Sequence, residues 1–252
     1  MQKTYLVSGA GSGIGQAVCT ELARNHGAKI ILMGRNEAKL KQTQELLTNP
    51  SLHQTVVADT TDGKQIKEGL QKLNVTDLHG VVVNAGIGGG NTYGKDDRWN
   101  EIINTNLTGA YIMASEALPY LRKSKEKFRH ILFISSILSE MGVPGYTAYC
   151  ASKAGLLGLA RSMAVEFARE NILVNTICPG WVETDMARSG IQALADFQKI
   201  SFEEAFKQQM GLVPLGKWSQ PDEIGAYVSY LVSPKQTSIT GQALHINNGA
   251  LM

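Results

Sequence analysis

The sequence predicts an α/β fold: a doubly wound parallel sheet of about seven strands with helices on both faces. Three observations carry that expectation. Short apolar runs alternate with longer segments of helical periodicity along the chain. The first run, Thr4-Tyr5-Leu6-Val7, feeds a glycine-rich turn, Ser8-Gly9-Ala10-Gly11-Ser12-Gly13-Ile14-Gly15. A helix follows, with Ile14, Val18 and Leu22 on one stripe. Strands separated by helices form βαβ units, and their sheets are parallel.

The glycine turn is a phosphate-binding arrangement. Glycine lets the main chain approach a pyrophosphate, and the start of a helix offers free N–H groups and a positive dipole end. The spacing, Gly9-x-x-x-Gly13-x-Gly15, differs from the common G-x-G-x-x-G dinucleotide fingerprint. The second strand, 29–33, runs into Gly34-Arg35-Asn36. NAD sites commonly place a carboxylate here, against the ribose 2′-hydroxyl. This chain has Arg35, whose guanidinium pairs with a 2′-phosphate. The expected cofactor is therefore NADPH, with Ser12 and Asn36 as auxiliary donors. A solvated arginine in a turn is the plain alternative.

Further strands are expected at 55–58, ending in Asp59, and at 78–83, ending in Asn84-Ala85-Gly86. Gly88-Gly89-Gly90 then reads as a mobile loop at the mouth of a site. Asp62 caps the helix that runs through Leu73. A helical stretch over 96–123 contains Asn106 and Gly109, poor helix formers, so a kink or local opening is expected there. The fifth strand, 130–134, delivers Ser135-Ser136 at its carboxyl end. The sixth, 173–177, ends in Cys178-Pro179-Gly180, and the last is 242–246. Ligands of such sheets sit beyond the carboxyl ends of the strands, where the glycine turn, Asp59 and Asn84 fall. The weaker pattern of 187–215 is expected to form a substrate lid. No repeat or linker interrupts 1–252, so one domain is expected.

Tyr149 and Lys153 are four apart, on one face of the helix that runs to about Ala168. A free tyrosine has a pKa of about 10. A neighbouring ammonium lowers it toward the range that general acid–base catalysis needs. Nearly all faces of this helix are apolar or small, so a partner subunit is expected to cover the side that the sheet does not.

Composition excludes several classes. Of 252 residues, 43% are hydrophobic and 18% charged, which supplies a core and argues against disorder. A net charge of +2 gives no case for nucleic acid or an acidic membrane surface. No apolar run is long enough to span a bilayer, and nothing resembles a signal peptide. Cys19, Cys150 and Cys178, with five histidines, show no ligand spacing. A cytosolic, metal-free protein is expected.

Taken together, Ser8-Gly9-(x)3-Gly13-Ile14-Gly15, Asp59, Asn84-Ala85-Gly86, Asn106, Ser136, Tyr149-(x)3-Lys153, and Pro179-Gly180 followed by Thr184 resemble the short-chain dehydrogenases/reductases over essentially the whole chain. Within that family the sequence is most similar to NADPH-dependent ketoreductases of the 3-oxoacyl-acyl-carrier-protein reductase type. The resemblance implies a Rossmann-type fold and reduction of a ketone to a secondary alcohol. It makes Tyr149 the proton donor and Ser136 a hydrogen-bond donor to the same oxygen. Lys153 is implied to lower the tyrosine's pKa and hold the nicotinamide ribose, and Asn106 to hold a water linking Lys153 to solvent. Pro179, Gly180, Val182 and Thr184 are implied to flank the nicotinamide carboxamide. Asn84 and Gly86 line the cofactor's ribose, and Asp59 accepts from the adenine amino group. A homotetramer is also implied.

Plainer roles stand beside several of these. Ser136 and Asp59 also read as caps, Asn106 as a kink residue and Thr184 as the start of the lid helix. Ser12 stands where many of these ketoreductases carry a basic residue, which leaves Arg35 as the main 2′-phosphate partner. The substrate region, Ile137-Leu138-Ser139, 141–146, Trp181 and the lid, is mostly apolar. Two other functions are open: an alcohol or sugar dehydrogenase working oxidatively, and a non-catalytic dinucleotide sensor.

Overall fold

Near-continuous apolar runs in the strands set the architecture, since a strand buried on both faces needs helices above and below it. The computed structural model describes residues 2–252. Its strands are β1 (Thr4–Ser8), β2 (Lys29–Gly34), β3 (Gln54–Val57), β4 (Gly80–Val83), β5 (Arg129–Ile134), β6 (Ile172–Pro179) and β7 (Ala243–Ile246). All pair in parallel, in the order β3-β2-β1-β4-β5-β6-β7. The helices are α1 (Gly13–His26), α2 (Glu37–Leu46), α3 (Gly63–Lys72), α4 (Trp99–Ile103), α5 (Gly109–Lys123), α6 (Thr147–Phe167), α7 (Asp185–Gln198), α8 (Phe202–Gly211) and α9 (Pro221–Leu231).

Alternate residues of one strand feed two apolar layers. In β5, Ile131 and Phe133 pack with Ile66, Met113 and Leu156, under α3, α5 and α6. Leu132 and Ile134 face the other way and join Val18, Leu22, Ile224 and Val228 of α1 and α9. The strand order reverses between β1 and β4, which makes their carboxyl ends the topological switch point where such sheets bind ligands.

The expected elements are present with shifted ends. Helix α1 begins at Gly13 rather than Gln16, because the turn glycines already take up its first turn. β6 is longer than expected, buried throughout and paired on both sides. The opening expected near Asn106 is a wide, π-type turn over Asn104–Thr108 between α4 and α5. Helix α6 is not uniformly apolar outside: Ala154, Gly158 and Val165 share the exposed face with Arg161 and Ser162.

At the amino ends of the strands, on the α1/α9 side, His130 is 4% exposed and its Nδ1 has no hydrogen-bond partner. Burial, with Lys3 and His26 adding to it, holds its pKa down to about 4. An unfolded histidine titrates at about 6.5. As pH falls from about 6.5 to about 4 the unfolded chain takes up a proton that the folded chain refuses, so stability drops by about 3 kcal/mol in all. Urea unfolding at about pH 7.5 and about pH 4.5 is expected to show that loss in the wild type and a smaller one in His130→Asn. Equal losses would remove His130 as the source.

Candidate active site

The glycine turn is shaped by contacts that only hydrogen tolerates. A Cβ on Gly15 would stand 2.2 Å from the Gly9 carbonyl oxygen, and Gly9 itself has φ +62°. The turn therefore packs against its own helix and leaves the first N–H groups of α1 facing outward. Ser12 precedes that helix, and its hydroxyl makes no capping bond. Ile14 packs into the α1/α9 layer and anchors the helix start.

Gly9, Arg35, Asp59 and Gly86 line one cleft, together with Thr60 and Ile87. Arg35 Nη1 lies 3.8 Å from an Asp59 carboxylate oxygen, and the guanidinium is largely exposed. Burial raises the Asp59 pKa, but hydrogen bonds from Thr61 N–H and Oγ1, with the charge of Arg35, outweigh it and leave a net lowering. The cap of the following helix is Asp62, whose carboxylate accepts from Gln65 N–H. Asn36 caps in the same way: its Oδ1 starts α2 by accepting from Lys39 N–H. Of the 2′-phosphate donors expected, Ser12 makes no capping bond, Asn36 keeps its Nδ2 hydrogens, and Arg35 stands beside Asp59.

Two asparagines of the expected site clamp the main chain around it. Asn84 Nδ2 donates to the carbonyls of Ser8 and Gly9, at 3.0 and 3.3 Å. In return, Ser8 Oγ accepts from Asn84 and Ala85 N–H, each at 3.0 Å. The end of β4 is thereby sewn to the glycine turn. Asn106, 1% exposed, accepts from Ile87 N–H at 2.8 Å and donates to Ile87 O at 2.9 Å and Ser152 Oγ at 3.2 Å. Its amide hydrogens are thus committed to protein partners. It still converges with Lys153: a Cβ on Gly86 would lie 3.1 Å from Asn106 Oδ1 and 3.6 Å from Lys153 Nζ.

Strand β5 and helix α6 bring Ser136, Tyr149 and Lys153 together. Lys153 Nζ donates to Ile134 O at 2.9 Å, and Ser135 Oγ donates to Lys153 O at 2.9 Å. The ammonium stands 5.6 Å from the centre of the Tyr149 ring. Burial pushes the phenol up to about 12, opposed by the neighbouring Ser136 hydroxyl. Burial also brings the Lys153 ammonium down to about 8. Each charged form is penalised by its surroundings, and the ammonium is turned to a carbonyl. The phenol is therefore held protonated at neutral pH.

Sequence reasoning missed Asn91. Its Oδ1 accepts from Thr147 Oγ1 and Ala148 N–H at 3.0 and 2.9 Å, at the very start of α6. Its own N–H donates to Gly145 O at 2.8 Å. The segment after the three glycines is thus docked onto the helix that carries Tyr149 and does not hang free at Asn91. An asparagine after glycines, ahead of a helix with no local cap, was the available signal.

The far wall comes from the end of β6. Pro179 pairs with Ile246, and Gly180 N–H donates to Ile246 O at 3.1 Å. Val182 is buried and bridges Ser219, while its own N–H bonds no other main-chain group among the described residues. Thr184 caps α7 by accepting from Ala187 N–H at 3.2 Å. Its methyl also lies 3.0 Å from where a Gly13 Cβ would be, so the cap of α7 abuts the glycine turn.

A family model described as enoyl-(acyl carrier protein) reductase matches residues 9–250. The 3-oxoacyl-(acyl-carrier-protein) reductase of Vibrio harveyi is 36% identical, over 99% of this chain and 98% of its own. The chain belongs to the short-chain dehydrogenase/reductase family. The corresponding reductase of Rickettsia conorii is 33% identical, over 99% of this chain and 97% of its own. Among solved structures, an actinorhodin polyketide ketoreductase with NADPH superposes with a TM-score of 0.92 at 31% identity, covering 99% of this chain and 97% of that one. Membership of this dehydrogenase/reductase family makes the protein an oxidoreductase on a Rossmann-type sheet.

Gly15→Ala is expected to abolish dinucleotide binding while leaving the sheet folded, because the added methyl meets the Gly9 carbonyl within the turn. Fluorescence titration with NADPH, beside circular dichroism of the same variant, checks this. Unchanged affinity would mean that the turn does not hold the cofactor.

Proposed function

We propose that this oxidoreductase reduces a ketone to a secondary alcohol using NADPH, with Tyr149 as the proton donor. The observation that carries the reading is the convergence of the half-buried Tyr149 with Ser136 and Lys153 at the carboxyl end of β5. A proton donor must hold its proton at working pH, and a phenol does so. The cradle fits the cofactor: a glycine turn at a helix start, Arg35 at the end of β2, and a cleft that also includes Asp59 and Gly86.

When bound, NADPH supplies the hydride that adds to the carbonyl carbon. Tyr149 gives its proton to the oxygen of that carbonyl, so the ketone gains both and leaves as the alcohol. Ser136 Oγ donates a hydrogen bond to the same oxygen and fixes its position. Lys153 carries the positive charge that favours the tyrosinate left behind, and is within reach of the ribose side of the cleft at Gly86. Asn84, Asn106 and Asn91 position rather than react. The Val182 N–H and Thr184 flank the place assigned to the carboxamide, between Gly180 and the glycine turn.

The 3-oxoacyl reductases among the relatives make a 3-oxoacyl thioester the first ketone to test. The apolar residues Ile137, Leu138, Met141 and Trp181 suit its acyl chain. Residues 187–215 are read as a lid within a single domain. α7 and α8 carry a small core of their own around Ile191, Ala195 and Ala205, and leave Phe197, Leu212 and Leu215 exposed. We also read the protein as a cytosolic homotetramer. Its three free cysteines and the small exposed residues of α6, Ala154 and Gly158, support this, and no described helix is long and apolar enough to cross a membrane.

Tyr149→Phe is expected to lower kcat for ketone reduction about 10²–10⁴-fold while NADPH still binds. Oxidation of NADPH, followed by absorbance with a panel of ketones and 3-oxoacyl thioesters, measures it. Retained turnover rejects Tyr149 as the donor, and cofactor binding without activity on any carbonyl favours a sensor. In the same assay kcat/KM is expected to be higher with NADPH than with NADH, through Arg35. A strong NADH preference contradicts that role.

A further inference from the structure

Cys178, the last residue of β6 before Pro179, is fully buried yet belongs to neither apolar layer. It faces polar groups instead. Ser139 Oγ lies 3.8 Å from its sulfur. The sheet register sets His245 of β7 directly beside it. His245 Nε2 in turn stands 3.2 Å from a Glu140 carboxylate oxygen. One donor atom from each of Glu140, Cys178 and His245 lies within 4.8 Å of the others.

The geometry points to a binding site for a zinc-class divalent cation, held by Cys178 Sγ, His245 and the Glu140 carboxylate. Thiolate, imidazole and carboxylate together suit zinc or cobalt rather than magnesium or calcium, which take oxygen ligands. Donors at about 2.0–2.3 Å from a tetrahedral zinc stand about 3.3–3.8 Å apart, so the widest pair needs to close by roughly an ångström. Two of the three ligands sit on adjacent strands in fixed register, and only Glu140 is on a turn that can move. Glu140 and His245 are half-exposed, which leaves a path in and a fourth position for water. On binding, the cation replaces the thiol proton: a sulfur–metal bond forms, the S–H bond breaks, and the proton leaves to solvent.

The site has a consequence for its neighbour. Glu140 closes the short turn that starts at Ser136: Ser139 N–H donates to Ser136 O, and Glu140 N–H to Ile137 O, both at 3.0 Å. A cation there clips the turn carrying Ser136 to the edge strand β7. Sequence spacing hid it, because the three residues meet only through the sheet.

Cobalt(II) is the probe. Titration of the full-length protein is expected to give one equivalent bound, with a thiolate-to-cobalt charge-transfer band in the near ultraviolet that zinc abolishes. Cys178→Ala should lose the band, and His245→Gln and Glu140→Gln should each weaken binding about tenfold or more. Zinc should raise the Tm of the wild type and not of His245→Gln. The two surface variants decide the matter if Cys178→Ala fails to fold. No band at saturating cobalt, a band that survives Cys178→Ala, or affinity unchanged in both surface variants overturns the site and leaves only an ion pair over a buried thiol.

Discussion

The site depends on one joint, between the end of β5 and the middle of α6. Lys153 donates its ammonium proton to Ile134 O, and Ser135 donates back to Lys153 O. A strand end and a helix are thereby tied in both directions by buried hydrogen bonds, one of them charge-assisted and worth more than a neutral pair. Ser136 follows Ser135 directly, and Tyr149 lies one turn before Lys153. Fixing the joint therefore fixes the distance between hydroxyl, phenol and ammonium. The parallel register of β5 with β4 and β6 carries that placement to Gly86 on one side and Gly180 on the other.

Asparagine holds the rest. A side-chain amide offers donor and acceptor in one plane, so it can satisfy both groups of a neighbouring peptide at once. Asn106 does this with Ile87, and Asn84 binds two carbonyls of the turn that must approach the cofactor closely. Asn91 supplies the start of α6 with the acceptor that its own sequence lacks. These three bridge β1, β4, the π-type turn and α6 at the switch point of the sheet. Loops without regular structure are held there by side chains, which frees their outward N–H groups.

Features with local causes were legible in the sequence. The strand–turn–helix start, the four-residue spacing of Tyr149 and Lys153, and the weak helix around Asn106 are each written within one element, and the structure has them all. What was not legible came from distant contacts. Asn84 and Asn106 are at the right place, but their partners, Ser8 and Ile87, are set by how β4 packs against β1 and α6. At Tyr149 the nearby cation can be inferred from spacing, whereas the burial that raises the phenol cannot. The carboxyl end of β6 depended on pairing with β7, almost seventy residues later.

The proposed reduction needs a neutral phenol at Tyr149 that gives its proton to a carbonyl oxygen. The most direct measurement is the ultraviolet absorbance titration of tyrosinate in the wild type, from which the titration of Tyr149→Phe is subtracted. The difference is predicted to stay flat through neutral pH and to rise only toward the value of about 12 that burial imposes. A tyrosinate signal that is present near neutral pH and missing in Tyr149→Phe would contradict it.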